Sequence, residues 1–194
     1  MKKLPLSNEA MSRLWVGCLV FSAAFAHFCA QQPYGLGWNR TASLPKGLYL
    51  TKQTNADFAP KVGDLVCFAY ASPAWAHDRG YFPAGFRLCK PVAATAGDAF
   101  NVSAQGMQVM LKGQGGAALD ASHKSFALPT TDSAGRPLPV WLPGEYPVPS
   151  GHILALSPYH PRSLDSRFLG PVAVKSLTHQ IWPLLTWPHP DSKP

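Results

Sequence analysis

One stretch of the chain, residues 14–30, is apolar enough and long enough to form an extended helix. Beyond it, prolines and glycines interrupt every run. The chain holds 20 prolines and 16 glycines, and both residue types oppose helix interiors. A helix followed by turns and short strands is therefore the expected course. Apolar residues make up 46% of the chain, enough for a hydrophobic core and against global disorder. With 194 residues, one domain with a small insertion is expected.

Lys2, Lys3 and Arg13 precede the apolar stretch, which contains Cys18, His27 and Cys29. Segments of about 17–25 residues can span a bilayer. The positive flank predicts residues 1–13 in the cytoplasm, a single-pass anchor over 14–30, and the remaining chain outside. A cleaved signal peptide ending at Ala24-Phe25-Ala26 is the rival reading. Cys29 follows Ala26-His27-Phe28, which is the wrong context for acylation.

Residues 31–42, with Pro33, Gly35 and Gly37, read as a linker into a turn at Ser43. Residues 47–50 read as a short strand. Lys61-Val62-Gly63-Asp64 is a turn, and the apolar run 65–70 is a buried strand. A strand over 86–90 continues through Pro91 to residue 96, and Gly97-Asp98 turns the chain. Pro91 predicts an edge position or a bulge. Residues 99–150 read as a β insertion: a hairpin over 101–109, a flexible run over 113–116, and a connector, Asp132-Ser133-Ala134-Gly135-Arg136-Pro137-Leu138-Pro139. Residues 151–156 return to core strand and 172–174 close the sheet. Residues 183–194 form a proline-rich tail.

Net charge is +7, but the basic residues are scattered without interleaved aromatics, so no nucleic-acid partner is expected. Metal-ligand spacings such as HExxH or CxxC are missing from the sequence. None of the seven histidines lies in a recognisable arrangement with a serine. A lysine can replace histidine as a base if burial makes it neutral. Lys90, flanked by Leu88, Cys89, Val92, Ala93 and Ala94, is the best candidate. The competing role for Lys90 is a gatekeeper charge on an edge strand. Ser43 lies between Thr41 and Pro45, a nucleophile candidate beside a donor in a fixed turn. In Ser163-Leu164-Asp165-Ser166-Arg167, Ser163 could orient the lysine amine while Asp165 and Arg167 pair. Cys67 and Cys89 are either a disulfide or two buried thiols.

Taken in order, these segments resemble the type I signal peptidase superfamily of Ser/Lys endopeptidases. Thr41-Ala42-Ser43-Leu44-Pro45-Lys46-Gly47-Leu48-Tyr49, the 132–139 connector and Ser157-Pro158 are similar to the conjugative-transfer branch, the TraF-type peptidases. The resemblance implies a mainly β fold: a signal-peptidase-like β-core over 31–182 carrying the 99–150 insertion, after one N-terminal transmembrane helix. It implies Ser43 as nucleophile, Lys90 as general base and Asp165 as an essential third residue. The Ser43 N–H and the Thr41 hydroxyl would form the oxyanion hole, and Ser163 and Arg167 would support the site together with Asp165. The implied location is the bacterial inner membrane, with the catalytic domain in the periplasm. The implied partners are membrane lipid and a pilin or other secreted precursor, which the branch can cyclise. No cofactor is implied. A general leader peptidase and an inactive periplasmic scaffold are the alternatives.

Overall fold

A computed structural model describes residues 8–112 and 125–187. The chain divides into two compact units, residues 1–35 and 36–194. The expected flexible run over 113–116 lies outside the described residues.

The first unit contains helix α1 (Asn8–Ala30), 23 residues long. An exposed Arg13–Glu9 pair at 2.6 Å staples its first turns. No helix among the described residues is long and apolar enough to cross a membrane. The helix expected over 14–30 forms within α1.

The strands are β1 (Tyr34–Asn39), which begins just before the boundary of the second unit, and, within that unit, β2 (Lys46–Gln53), β3 (Leu65–Ala69), β4 (Arg87–Thr95), β5 (Ala99–Ser103), β6 (Gly106–Met110), β7 (Gly144–Pro147), β8 (His152–Ala155), β9 (Val172–Ala173) and β10 (Leu177–Trp187), with a short helix α2 (Ala74–His77) between β3 and β4. A seven-stranded sheet runs β1-β2-β10-β3-β4-β8-β9, and a three-stranded sheet runs β6-β5-β7. The mainly β expectation therefore holds, and the insertion over 99–150 carries the smaller sheet.

Three differences from the sequence reading matter. The expected linker contains β1, an edge strand beside β2. Beyond the expected closing strand at 172–174 the chain adds β10, which takes residues 183–187 of the expected tail into the sheet, with Pro183 opposite Tyr49 and a register shift immediately after it. Pro91 lies on an interior strand, since β4 pairs with both β3 and β8. The bulge reading holds, because the β4–β8 register shifts between Val92 and Ala94. Pro91 stands opposite Leu65, the first residue of β3, and its carbonyl accepts from Leu156 N at 3.0 Å.

Alternation along β4 buries Leu88, Lys90, Val92 and Ala94 on one face. Leu88 and Val92 join Val66, Phe68 and Ile153 in one apolar cluster. Phe100, Val102, Met107 and Leu154 form a second cluster under the insertion. A third, with Leu44, Tyr49, Cys67 and Ile181, lies beneath the Ser43 turn. Cys67 and Cys89 stand directly opposite in the β3–β4 register and form a disulfide, which settles the open pairing. Closing a loop of this size stabilises a fold by about 3 kcal/mol in the chain-entropy account.

Gly47 fixes the approach of β2 to β10. Its φ is +145°, and an added Cβ would stand 2.1 Å from the Leu185 carbonyl oxygen. Backbone on that side cannot yield as a flexible side chain would. Gly47→Ala is therefore expected to destabilise the domain by more than about 2 kcal/mol. Urea denaturation would check this, and an unchanged midpoint would refute the tight β2–β10 approach.

Candidate active site

The Ser43 turn is held by side chains that satisfy its backbone. Asn39, at the end of β1, donates from Nδ2 to the carbonyls of Thr41, Leu44 and Pro45 at 3.0, 3.0 and 3.1 Å. The buried Tyr49 hydroxyl donates to the Pro45 carbonyl at 2.7 Å. Burial, followed by the nearby Tyr159, pushes the Tyr49 phenol up to about 12, so it remains a donor at physiological pH. The Ser43 carbonyl accepts from Ser157 Oγ at 2.7 Å. The carbonyls of residues 41, 43, 44 and 45 are thus all pinned, which leaves the half-buried Ser43 side chain on a fixed backbone.

Asn39 Oδ1 accepts from Thr41 N at 3.2 Å and from Thr41 Oγ1 at 2.9 Å. With Nδ2 committed to three carbonyls, Oδ1 must face the Thr41 donors. The Thr41 hydroxyl proton therefore points at Asn39. To serve an oxyanion it must rotate away.

Lys90 is 2% exposed, although the side chain is cationic. Among the described residues it belongs to no salt bridge. Burial, first, holds its ammonium down to about 8; Asp165 opposes that shift and Arg167 reinforces it. An interior strand position and near-complete burial exclude the edge-gatekeeper role.

Asp165 and Arg167 form a buried bidentate pair. Arg167 donates from Nε to Asp165 Oδ1 at 2.9 Å and from Nη2 to Oδ2 at 2.8 Å. Asp165 also caps the short helix α3 (Ser166–Leu169), accepting from Arg167 N at 3.2 Å, and receives Ser157 N at 3.0 Å. Further Arg167 donors reach the carbonyls of Ser157, His160 and Ala127. Ser166 Oγ accepts from Ala155 N at 2.9 Å. The Ser-x-Asp-Ser-Arg sequence thus ties the loop after β8 back onto its own strand.

Ser43, Thr41, Lys90 and Ser163 all line one cleft of about 870 Å³. Asp165 and Arg167 do not line it. The Ser163 hydroxyl is buried there without a hydrogen-bond partner among the described residues. His160 also borders the cleft, with Nδ1 accepting from Arg162 N at 3.1 Å. Cys89 lies on the face of β4 opposite Lys90, yet it too borders the cleft.

The 132–139 connector also reaches the cleft, through Asp132, Ser133 and Leu138. Asp132 organises that turn: Oδ1 accepts from Ala134 N and Arg136 N at 2.9 Å, and Oδ2 accepts from Arg136 Nε and the Tyr81 hydroxyl. The Tyr81 bond, ahead of those from Arg136 and Ala134, holds this carboxylate well below its usual range. Among the described residues, no group of three His, Cys, Asp or Glu side chains is arranged to hold a metal ion.

The sequence assigns no role in the site to Asn39, Tyr49 or Ser157. Their parts in the site are long-range or side-chain-to-backbone contacts. The one local signal was Asn39 two residues before Thr41, a spacing that permits an Asx-type turn.

Compared with known proteins, residues 9–182 match the family described as signal peptidase, peptidase S26. Two Escherichia coli relatives are each described as plasmid transfer protein TraF. One is 29% identical over 180 residues, covering 90% of this chain and 89% of the relative. The other is 31% identical over 161 residues, covering 80% and 78%. Among solved structures, a signal peptidase I from Enterococcus faecalis aligns with a TM-score of 0.35 and 19% identity, covering 62% of this chain and 94% of that one.

Proposed function

Because the chain belongs to the signal peptidase family, peptidase S26, we propose that it is a serine endopeptidase with a Ser43/Lys90 dyad acting in conjugative plasmid transfer. The observation that carries this reading is a lysine buried without an ion-pair partner in the same cleft as a serine on a pinned turn. A structural scaffold gains nothing from the cost of that burial. A general base requires it, because a lysine held near 8 is neutral in part at working pH.

In the proposed reaction, Ser43 Oγ attacks the scissile carbonyl carbon and its proton passes to neutral Lys90 Nζ. The Ser43 N–H receives the developing oxyanion, joined by the Thr41 hydroxyl once it leaves Asn39. The resulting Lys90 ammonium then protonates the departing amine, leaving an acyl ester on Ser43. Water resolves that ester to a linear product. The substrate's own N-terminal amine would resolve it to a cyclic one, if water is kept out and the amine is held close. Ser163, whose hydroxyl has no hydrogen-bond partner among the described residues, would turn to orient the lysine amine once substrate is bound. Asp165 and Arg167 act beneath the cleft as positioning residues.

The substrate class is a pilin or other secreted precursor, by analogy with the relatives' role in plasmid transfer. A periplasmic setting is supported by the Cys67–Cys89 disulfide, since such bonds persist in oxidising compartments. Exposed Trp38, Leu184, Leu185 and Trp187 suit contact with a membrane surface.

The test is processing of the cognate pilin precursor in membranes, read by intact mass. Ser43→Ala and Lys90→Ala are expected to lose processing by at least about 10³-fold. His160→Ala is expected to retain it. Wild-type processing rises with pH through about 8, as Lys90 loses its proton. A product lighter by one further water marks cyclisation. Full processing by folded Ser43→Ala would end the serine reading, and loss of processing in His160→Ala alone would move the base to histidine.

A further inference from the structure

Ser157 is 1% exposed and hydrogen-bonds to both the Ser43 turn and the Asp165–Arg167 pair. Its Oγ donates to the Ser43 carbonyl at 2.7 Å, while its backbone N–H donates to Asp165 Oδ2 at 3.0 Å. Its carbonyl accepts from Arg167 Nη2 at 3.3 Å. The second lone-pair site of its hydroxyl accepts from Tyr159 N at 3.3 Å, which fixes the direction of the donated proton. We infer that Ser157 is a positioning residue that transmits the rigidity of the Asp165–Arg167 pair to the peptide of Ser43.

The inference rests on Ser43 being the nucleophile, and it explains how Asp165 acts at a distance. All of the acceptor capacity of Asp165 goes to Arg167 and Ser157 N. It has none left for a serine or for substrate. What it does is fix the backbone of residue 157. The side chain of residue 157 then carries that constraint across 114 residues of sequence to the turn that presents the nucleophile. Asn39 and Tyr49 pin the neighbouring carbonyls from the other side. With Ser157 removed, the Ser43 carbonyl is the one released, and it belongs to the reacting residue itself. Misplacement by about 1 Å at such a point costs up to about 100-fold in rate.

The experiment uses the full chain and the p-nitrophenyl ester of an Ala-Gly-Ala peptide as probe. In the acylation step the Ser43 Oγ–acyl bond forms, the ester C–O bond breaks, and p-nitrophenolate leaves as a coloured burst. Ser157→Ala is expected to slow the burst about 10- to 100-fold with an unchanged half-saturating ester concentration. Burst amplitude should remain that of wild type. The pH midpoint of the burst should also remain, because Ser157 moves the nucleophile and not the base. Ser157→Thr, which keeps the hydroxyl, should recover the rate to within about threefold.

A merely structural role would lower the amplitude, by lowering the folded fraction, and leave the rate constant alone. That result overturns the inference, as does a Thr variant as slow as Ala. Should Ser157→Ala not fold, Ser157→Cys keeps the volume and weakens the donor; it must be slower than Ser157→Thr or the inference fails. Ser43→Ala separates the two levels. If it still gives a burst, the Ser43 reading fails first. If it gives none and Ser157→Ala is fully active, only the role of Ser157 is lost.

Discussion

Lys90→Met is expected to abolish processing and, below pH 8, to make the protein harder to unfold. Lys90 is 2% exposed and held at about 8 instead of its ordinary 10.5, chiefly by loss of hydration. That depression corresponds to roughly 3 kcal/mol of penalty on the folded ammonium. Methionine fills a similar volume without a charge, so the variant should gain about 1–3 kcal/mol at pH 6.5. The sign follows from proton counts. Below pH 8 both folded and unfolded lysine are protonated and the penalty is present in full. Between about 8 and 10.5 the unfolded chain binds more protons than the folded one, so wild-type stability rises with pH. The advantage of methionine therefore shrinks across that window and is gone above it. Urea midpoints at pH 6.5 and 10 measure this directly. A Met variant less stable than wild type at pH 6.5 would mean that a counter-charge holds the lysine protonated, and the base assignment would fall with it.

Lys90 could be picked out of the sequence because a lysine is costly to bury, and the apolar Leu88, Cys89 and Val92 around it mark the burial. Ser43 was legible for a similar local reason, since Pro45 and Gly47 mark its turn. The same locality limited what else could be seen. β10 pairs with β2 and β3 across more than 100 residues, and Pro183 made its second half look like a tail. Gly35 and Gly37 made β1 look like a linker. Ser157 appeared only in the Ser157-Pro158 pair that resembles the conjugative-transfer branch, because its hydrogen bond to Ser43 has no sequence periodicity. The 14–30 stretch was legible as a helix because its apolar run is unbroken by proline. Cys67 and Cys89 were both placed on core strands, yet only the register, which sets them opposite, decides between thiols and a disulfide.

Asp165→Ala should have the largest effect on stability and a separate, signed effect on catalysis. Arg167 is 1% exposed, and both of its side-chain bonds to Asp165 are buried. Removing the carboxylate leaves a guanidinium without a counter-charge, a loss of about 3–5 kcal/mol. It also uncaps α3 and frees Ser157 N. The double variant Asp165→Leu with Arg167→Met removes both charges together and should restore much of the urea midpoint. It should not restore acylation, since the backbone of residue 157 has still lost its anchor. The pair also acts on Lys90 with opposite signs: Asp165 raises the lysine and Arg167 lowers it. Residual acylation in Asp165→Asn should therefore rise with pH at a midpoint below 8, and that in Arg167→Met at a midpoint above 8. General loosening of the fold would move both midpoints the same way, toward the ordinary lysine value. Opposed shifts, measured on the p-nitrophenyl ester burst, would place the ion pair within electrostatic reach of the base. Parallel shifts would reduce it to a structural strut and leave Ser157 as its sole link to the chemistry.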